Sequence, residues 1–218
     1  MKKSIILFSG GLDSTTALFY AKAKGFSPHA LIFDYGQRHR KEVQQAKKIA
    51  QYAHVPYQIV KMSLPWQGSA LLDKSIKLPQ RRKIPQNEIP STYVPARNII
   101  FLSFAASYAE AVGARTIFIG ANAIDYSGYP DCRPEFFRAY KEVIRKGLKT
   151  GVEGKDIDIS APLLYKSKAQ IVKLARQLKV PLHLTWSCYR GGKRPCGKCD
   201  SCLLRQRGFE AAGVKNFL

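Results

Sequence analysis

Apolar positions along this chain alternate between two rhythms, one of strands and one of helices. Residues 4–8, Ser-Ile-Ile-Leu-Phe, form a short apolar run that stops at Ser9-Gly10-Gly11, as a buried strand does. Residues 13–24 suit a helix, with Leu18 and Ala21-Lys22 in phase and Gly25 closing it. A second strand is predicted over 30–33, an amphipathic helix over 38–53 and a third strand over 57–60. Residues 63–92 then break the rhythm with Pro65, Pro79, Pro85 and Pro90, and a loop that long in a compact domain is functional or disordered.

Order resumes with a helix over 96–112 and a strand over 116–119. Pro134, suited to a first helical position, opens a helix to about Lys149, and 157–160 reads as the fifth strand. Ser167-Lys168-Ala169-Gln170 has the form of a capping box and begins a helix to about Leu178. Strands alternating with helices predict an α/β fold: an open, mainly parallel five-stranded sheet with helices on both faces. Such sheets bind ligands at the carboxyl ends of their strands. The glycine turn after strand one, Asp34-Tyr35-Gly36-Gln37 after strand two and Gly120-Ala121-Asn122 after strand four all fall on that edge.

With 218 residues, one substantial core is expected, a single domain over 1–218. The opening Met1-Lys2-Lys3 and the run behind it imitate a secretory signal only briefly, because Gly10, Gly11 and Asp13 interrupt it. No stretch approaches the roughly 20 apolar residues of a membrane span, so a cytoplasmic protein without membrane contact is expected. Thirty-six Lys and Arg against 15 Asp and Glu leave a charge of +21, which favours anionic partners without choosing among phosphates, nucleic acid and acidic metabolites.

Two motifs carry chemistry. Ser9-Gly10-Gly11-Leu12-Asp13-Ser14-Thr15 lies between a strand and a helix start. Paired glycines turn the backbone so that amide hydrogens face an anion at a helix N-terminus. Ser9, Ser14 and Thr15 offer hydroxyls, and Asp13 suits Mg²⁺ on bound phosphates. Neither G-x-x-x-x-G-K-[ST] nor G-x-G-x-x-G occurs, which sets aside a Walker loop and a dinucleotide fold. The second motif, Cys188-x7-Cys196-x2-Cys199-x2-Cys202, supplies four thiolates in a segment spanning 186–218. Zinc takes four such ligands at about 2.3 Å, so a closed structural site is expected, with an iron–sulfur cluster as the rival. Cys132 stands apart, as packing cysteines do.

The loop resembles that of the PP-loop ATP pyrophosphatases, which share an adenine nucleotide alpha hydrolase-like fold and transfer AMP to a substrate oxygen. Taken with the cysteine cluster, the chain is similar to the 7-cyano-7-deazaguanine synthase family of the queuosine pathway. Phe33-Asp34-Tyr35-Gly36-Gln37-Arg38-His39, Thr92-Tyr93-Val94-Pro95-Ala96-Arg97-Asn98, the stretch from Asp125 to Arg133 and Cys196-Gly197-Lys198-Cys199-Asp200-Ser201-Cys202 carry that resemblance, which runs from Ser4 to about Gly213. It implies a ligase that turns 7-carboxy-7-deazaguanine, ammonia and ATP into the 7-cyano base, and it implies a homodimer. ATP contacts are expected from Phe8, Ser9, Gly10, Gly11, Leu12, Asp13, Ser14, Thr15, Phe33, Arg97 and Lys168. Lys168 is informative, since a cation in a first helical turn opposes the helix dipole unless an anion lies beside it. Tyr35, Gln37, Tyr93, Asp125, Tyr126 and Asp131 are expected around the deazapurine, and a carboxylate of Asp131 or Asp125 suits its N1–H and 2-amino edge. Zn²⁺ on Cys188, Cys196, Cys199 and Cys202, and Mg²⁺ with ATP, complete the expected set.

Two other readings compete. A PP-loop tRNA-modifying enzyme fits the charge, but the chain has no residues left for the RNA-binding domain such enzymes carry, so direct tRNA binding is not expected. A non-catalytic zinc module for nucleic acid leaves the Ser9–Thr15 loop unexplained.

Overall fold

A computed structural model describes residues 2–80, 89–122 and 128–216. In chain order its elements are β1 (Lys2–Leu7), α1 (Leu12–Ala23), β2 (Phe26–Asp34), α2 (Lys41–Tyr52), β3 (Tyr57–Lys61), α3 (Arg97–Val112) and β4 (Thr116–Phe118). They continue with α4 (Pro134–Gly147), the single turn α5 (Lys149–Val152), β5 (Asp158–Ser160), α6 (Lys168–Gln177) and α7 (Asp200–Ala211). The five strands pair in the order β3-β2-β1-β4-β5, every pair parallel, as the alternation predicts.

Strict alternation of side chains sorts the strands between two cores. Ile5, Leu7, Leu31, Phe33, Ile117 and Ile159 face α3 and α4, meeting Leu102, Ala105, Phe137 and Ile144. Ile6, Phe8, Ala30, Ile32 and Phe118 face the other way, onto Leu18 of α1, Ile49 of α2, Ile171 of α6 and Phe209 of α7. Both faces being covered is why these strands read as unbroken apolar runs rather than as alternations.

Several boundaries differ from the expectation for identifiable reasons. β2 begins at Phe26 and runs through Pro28, a residue that argues against a central strand. The Ala30 amide donates to Pro56 O on the β3 side at 2.9 Å, and Pro28 nitrogen faces that same side two residues earlier. Pairing with β3 starts only at Ala30, so the missing N–H leaves no ladder bond unmade. The helix from Pro134 stops at Gly147 because Leu148 is extended (φ −105°, ψ 149°), and Lys149 starts a separate turn. Helix α7 lies in the cysteine segment, where no helix is expected from the pattern. The capping box at α6 forms as its sequence predicts: Ser167 Oγ accepts from Gln170 N at 3.3 Å, and Gln170 Oε1 from Ser167 N at 2.8 Å.

The described parts of the proline-rich loop are packed. Ala70 N donates to Ser91 O at 2.7 Å, and Arg38 Nη2 donates to Asp73 O at 2.7 Å and to Ile76 O. This segment closes one side of the strand ends, with Leu71 in the wall of the cavity there.

Candidate functional site

At the carboxyl edge of the sheet lies a cavity of about 310 Å³, walled by the turns after β1, β2 and β4 and by the starts of α2, α3, α6 and the cysteine segment. That size is at the lower end for a small-molecule site.

The glycine-rich loop Ser9–Thr15 forms its floor. Gly10 has φ +75°, and a Cβ there would lie 2.5 Å from Ala46 N, so only glycine lets the loop press against α2. Gly11 caps α1 without a side-chain bond, leaving the helix N-terminus open toward the cavity. Ser9 and Ser14 hydroxyls meet at 3.0 Å, and Ser9 Oγ also accepts from Gly11 N at 3.3 Å. Phe8, Ser9, Gly11, Leu12, Asp13 and Ser14 line the cavity; Gly10 and Thr15 do not. Thr15 is buried and its hydroxyl donates to Gly11 O at 2.7 Å, a contact within α1. Gly120 meets the loop from β4: a Cβ on it would sit 2.8 Å from Ser14 N.

Lys168 has its anion. Its Nζ lies 2.9 and 2.8 Å from the two oxygens of Asp13, and Asn122 Nδ2 reaches Asp13 Oδ2 at 3.3 Å. The lysine stem crosses Gly208 of α7, where a Cβ would approach Lys168 Cγ to 2.4 Å. Beside this pair the guanidinium of Arg205, 3% exposed, is held by neutral acceptors: Thr185 Oγ1 at 2.8 Å and Leu182 O at 3.2 Å. Burial lowers its pKa to about 10, against the pull of Asp13, so it remains a fixed cation at neutral pH.

The opposite wall is aromatic. Phe33 stacks on Phe101 at 3.9 Å and 9°, and Tyr35 meets Phe101 edge-on at 5.3 Å. Arg97 opens α3 behind Ala96, whose φ of +54° is left-handed, and its Nη1 lies 3.5 Å from Tyr35 Oη. Burial works against the Arg97 charge, but Tyr35, Tyr129 and Cys132 more than offset it and its pKa ends above the ordinary value. Burial raises the Tyr35 phenol, with Arg97 opposing. Glu42, in the first turn of α2, also lines this wall, and burial raises its carboxyl to about 7 despite Arg97.

Other expected site residues are placed differently. Gln37 lines the cavity but also staples the turn after β2, accepting from Tyr35 N at 2.8 Å and donating to Phe33 O at 3.2 Å. Tyr93 is outside the wall, its hydroxyl accepting from Ala96 N at 3.2 Å. Asp131 is 4% exposed and outside the wall as well: its Oδ2 accepts from Asn98 N at 2.9 Å, capping the first turn of α3. Asp125 and Tyr126 lie outside the described residues.

The four cysteines converge, with all four Sγ atoms of Cys188, Cys196, Cys199 and Cys202 within 4.8 Å of one another. A tetrahedral zinc with bonds of about 2.3 Å puts its sulfurs about 3.8 Å apart, so the donor set fits a metal after a small contraction. Amides of Arg190 and Cys196 point at Cys188 Sγ, at 3.4 and 3.3 Å, and Cys199 N at Cys196 Sγ at 3.4 Å. Such contacts favour thiolates. Cys199 also caps α7, and a hydrogen bond from the Cys202 thiol lowers its pKa to about 5.

This cluster is fastened to the cavity. Trp186 N donates to Gly10 O at 3.0 Å, and Trp186, Ser187 and Tyr189 supply part of the wall. His39, after β2, packs its ring where a Cβ on Gly191 (φ +66°) would be 2.1 Å away. The sequence offered no local signal for Glu42, Phe101, Arg205 or Trp186. The glycine inside α7 was the one visible sign of close packing there, since glycine in a helix interior costs about 1 kcal/mol against alanine.

Comparison with known proteins agrees with this arrangement. A family described as queuosine biosynthesis protein QueC matches residues 3–213. A 7-cyano-7-deazaguanine synthase of Acetivibrio thermocellus is 54% identical over 215 residues, 98% of this chain and 96% of that protein. One of Picrophilus torridus is 54% identical over 214 residues, covering 98% and 89%. Among solved structures, an NMN synthetase from Francisella tularensis superposes with a TM-score of 0.52 at 16% identity, over 96% of this chain and 83% of that one. A 4-thiouridine synthetase in an RNA complex with bound ATP gives 0.51 at 16%, over 97% and 50%. These two share the fold.

Proposed function

Because this chain belongs to the queuosine biosynthesis protein QueC family, we propose that it is an ATP-dependent ligase making 7-cyano-7-deazaguanine from 7-carboxy-7-deazaguanine and ammonia. The observation that carries the reading is that the phosphate loop and an aromatic wall share one cavity. A carboxylate resists ammonia because it is anionic and has no good leaving group. Attack of its oxygen on the α-phosphorus of ATP expels pyrophosphate and gives an acyl-adenylate. Ammonia displaces AMP to form the amide and loses a proton. The amide oxygen then attacks the α-phosphorus of a second ATP at the same place, expelling a second pyrophosphate, and loss of AMP and two protons leaves the nitrile.

In this reading the amides and hydroxyls of Ser9, Gly11 and Ser14 hold the phosphates at the α1 terminus, where the helix dipole favours them. Lys168 and Arg97 hold positive charge near the phosphorus that reacts, stabilising charge that grows in the transition state. Asp13 would hold the Mg²⁺ carried by ATP, which would neutralise phosphate charge, and Lys168, paired with Asp13, adds its own charge beside the nucleotide. The four cysteines would hold Zn²⁺, which would fix the Trp186–Tyr189 wall.

The test supplies purified protein with Mg-ATP and either the 7-carboxy base or its amide. The carboxylate should give nitrile only with ammonium, and the amide should give nitrile without it. An enzyme that ignores the amide contradicts the one-cavity scheme.

A further inference from the structure

We propose that Glu42 recognises the paired N1–H and 2-amino donors of the deazapurine and makes a 2-amino base a requirement of the site. The assignment rests on the function proposed above. Among the described residues two carboxylates line the cavity, those of Asp13 and Glu42. Asp13 is engaged by Lys168 and Asn122. Of the two carboxylates expected at this edge, Asp131 is committed to the α3 terminus through Asn98 and stands outside the wall, and Asp125 lies outside the described residues.

Glu42 is different. Among the described residues it makes no hydrogen bond and no ion pair within 4.0 Å, although Arg97 and Tyr35 lie near enough to interact electrostatically. A cavity carboxylate with no donor is costly, and burial raises its pKa to about 7. A ligand that brings two N–H donors relieves that cost and restores the charged form.

The chemistry of the two bases in the reaction then assigns the partner. Adenine offers a donor and an acceptor side by side, which a strand-end backbone matches and a carboxylate, with acceptors only, does not. A guanine-type edge offers two adjacent donors, the complement of two carboxylate oxygens. Phe101, stacked on Phe33, stands in the same wall as Glu42, and with Tyr35 it supplies flat apolar surface for the ring.

The test compares 7-carboxy-7-deazaguanine with the analogue lacking its 2-amino group, at saturating Mg-ATP and ammonium. For the wild type, kcat/KM should favour the 2-amino base by at least about 100-fold, because the analogue covers the half-buried Glu42 carboxylate without supplying the second donor. Glu42→Gln should lose at least about 10-fold on the 2-amino base, mostly in KM, and the preference should fall below about 10-fold. KM values for ATP and ammonium should not change, which also shows that the variant is folded. Glu42→Asp should keep part of the preference while weakening binding. A wild-type preference near one overturns the assignment without any variant. So does an unchanged preference in Glu42→Gln, or a loss that falls on ammonium or ATP instead, which would give the carboxylate to those reactants. If the wild type turns over neither base, the proposed function fails and the assignment with it.

Discussion

Replacing Gly208 with alanine sets two ordinary effects against each other. In an exposed helix interior the change stabilises by about 1 kcal/mol. In α7 the new Cβ would sit 2.4 Å from Lys168 Cγ and 3.0 Å from its Cβ, atoms near the root of the side chain. Carbon atoms in contact rest about 3.5–4.0 Å apart, so the lysine stem or the helix must retreat by about 1 Å. Overpacking of this kind costs about 1–3 kcal/mol, which exceeds the helix gain. Retreat also strains the pair between Lys168 and Asp13, whose side chains are only 15% and 26% exposed and therefore poorly screened. We expect a net loss of about 1 kcal/mol, a fall in Tm of about 2–4 °C for a chain of this length. The effect on activity should be larger, since a shift of about 1 Å in a charged group at a reacting phosphate costs about 100-fold. Differential scanning calorimetry and pyrophosphate release measure the two arms. A Gly208→Ala protein that melts higher than wild type and turns over ATP normally would refute both the packing argument and the placement of Lys168 in the site.

Asp13→Asn should leave the far-UV spectrum unchanged, because the loop is shaped by glycines and hydroxyls, but lower Tm by a few degrees, because Lys168 loses its counter-charge, while pyrophosphate release falls at least about 100-fold. Retained activity would remove Asp13 from metal–nucleotide binding. Chelating the metal, or Cys199→Ser, should lower both Tm and ATP affinity, since Trp186 N is bonded to Gly10 O in the phosphate loop. Hydrogen exchange should then rise over 186–211, and unchanged ATP affinity would show the cluster to be independent of the cavity. Elemental analysis should find zinc, and a brown protein would indicate iron. Glu42 has a folded pKa raised from 4.5 to about 7, so the stability it leaves intact below pH 4.5 is lost as pH rises through 7. That loss is about 3 kcal/mol at most, and about 1–2 with cavity solvent, so Glu42→Gln should out-melt the wild type at pH 8 but not at pH 4.5. A pH-independent difference would contradict the burial of this group.

What was legible in the sequence is what chemistry keeps local. The glycine-rich loop occupies seven consecutive residues and the four clustered cysteines span fifteen, so both could be picked out without knowing the fold. The strands were legible because two covered faces demand continuous apolar runs. β2 was under-read because Pro28 is acceptable only where β3 has not yet begun, a fact of sheet register. Helix α7 was hidden by cysteines and by Gly208, which serves Lys168 some 40 positions earlier. Asp131 looked like a ligand for the base because carboxylates are good ones. Its partner, the Asn98 amide at the start of α3, is brought to it only by the fold. Glu42 shows the converse: nothing near it in sequence distinguishes it from a surface helix residue, and only the closure of α2 against the Arg97–Tyr35 wall makes it part of a site.

In the proposed function one cavity adenylylates the substrate twice. Stoichiometry tests it most directly: the enzyme is given α-labelled ATP, the 7-carboxy base and ammonium, and nucleotide products are counted against nitrile formed. Two AMP and two pyrophosphate are expected for each nitrile, with no ADP, and one AMP for each nitrile when the amide is supplied instead. Accumulation of ADP, or one AMP for each nitrile from the carboxylate, would contradict it.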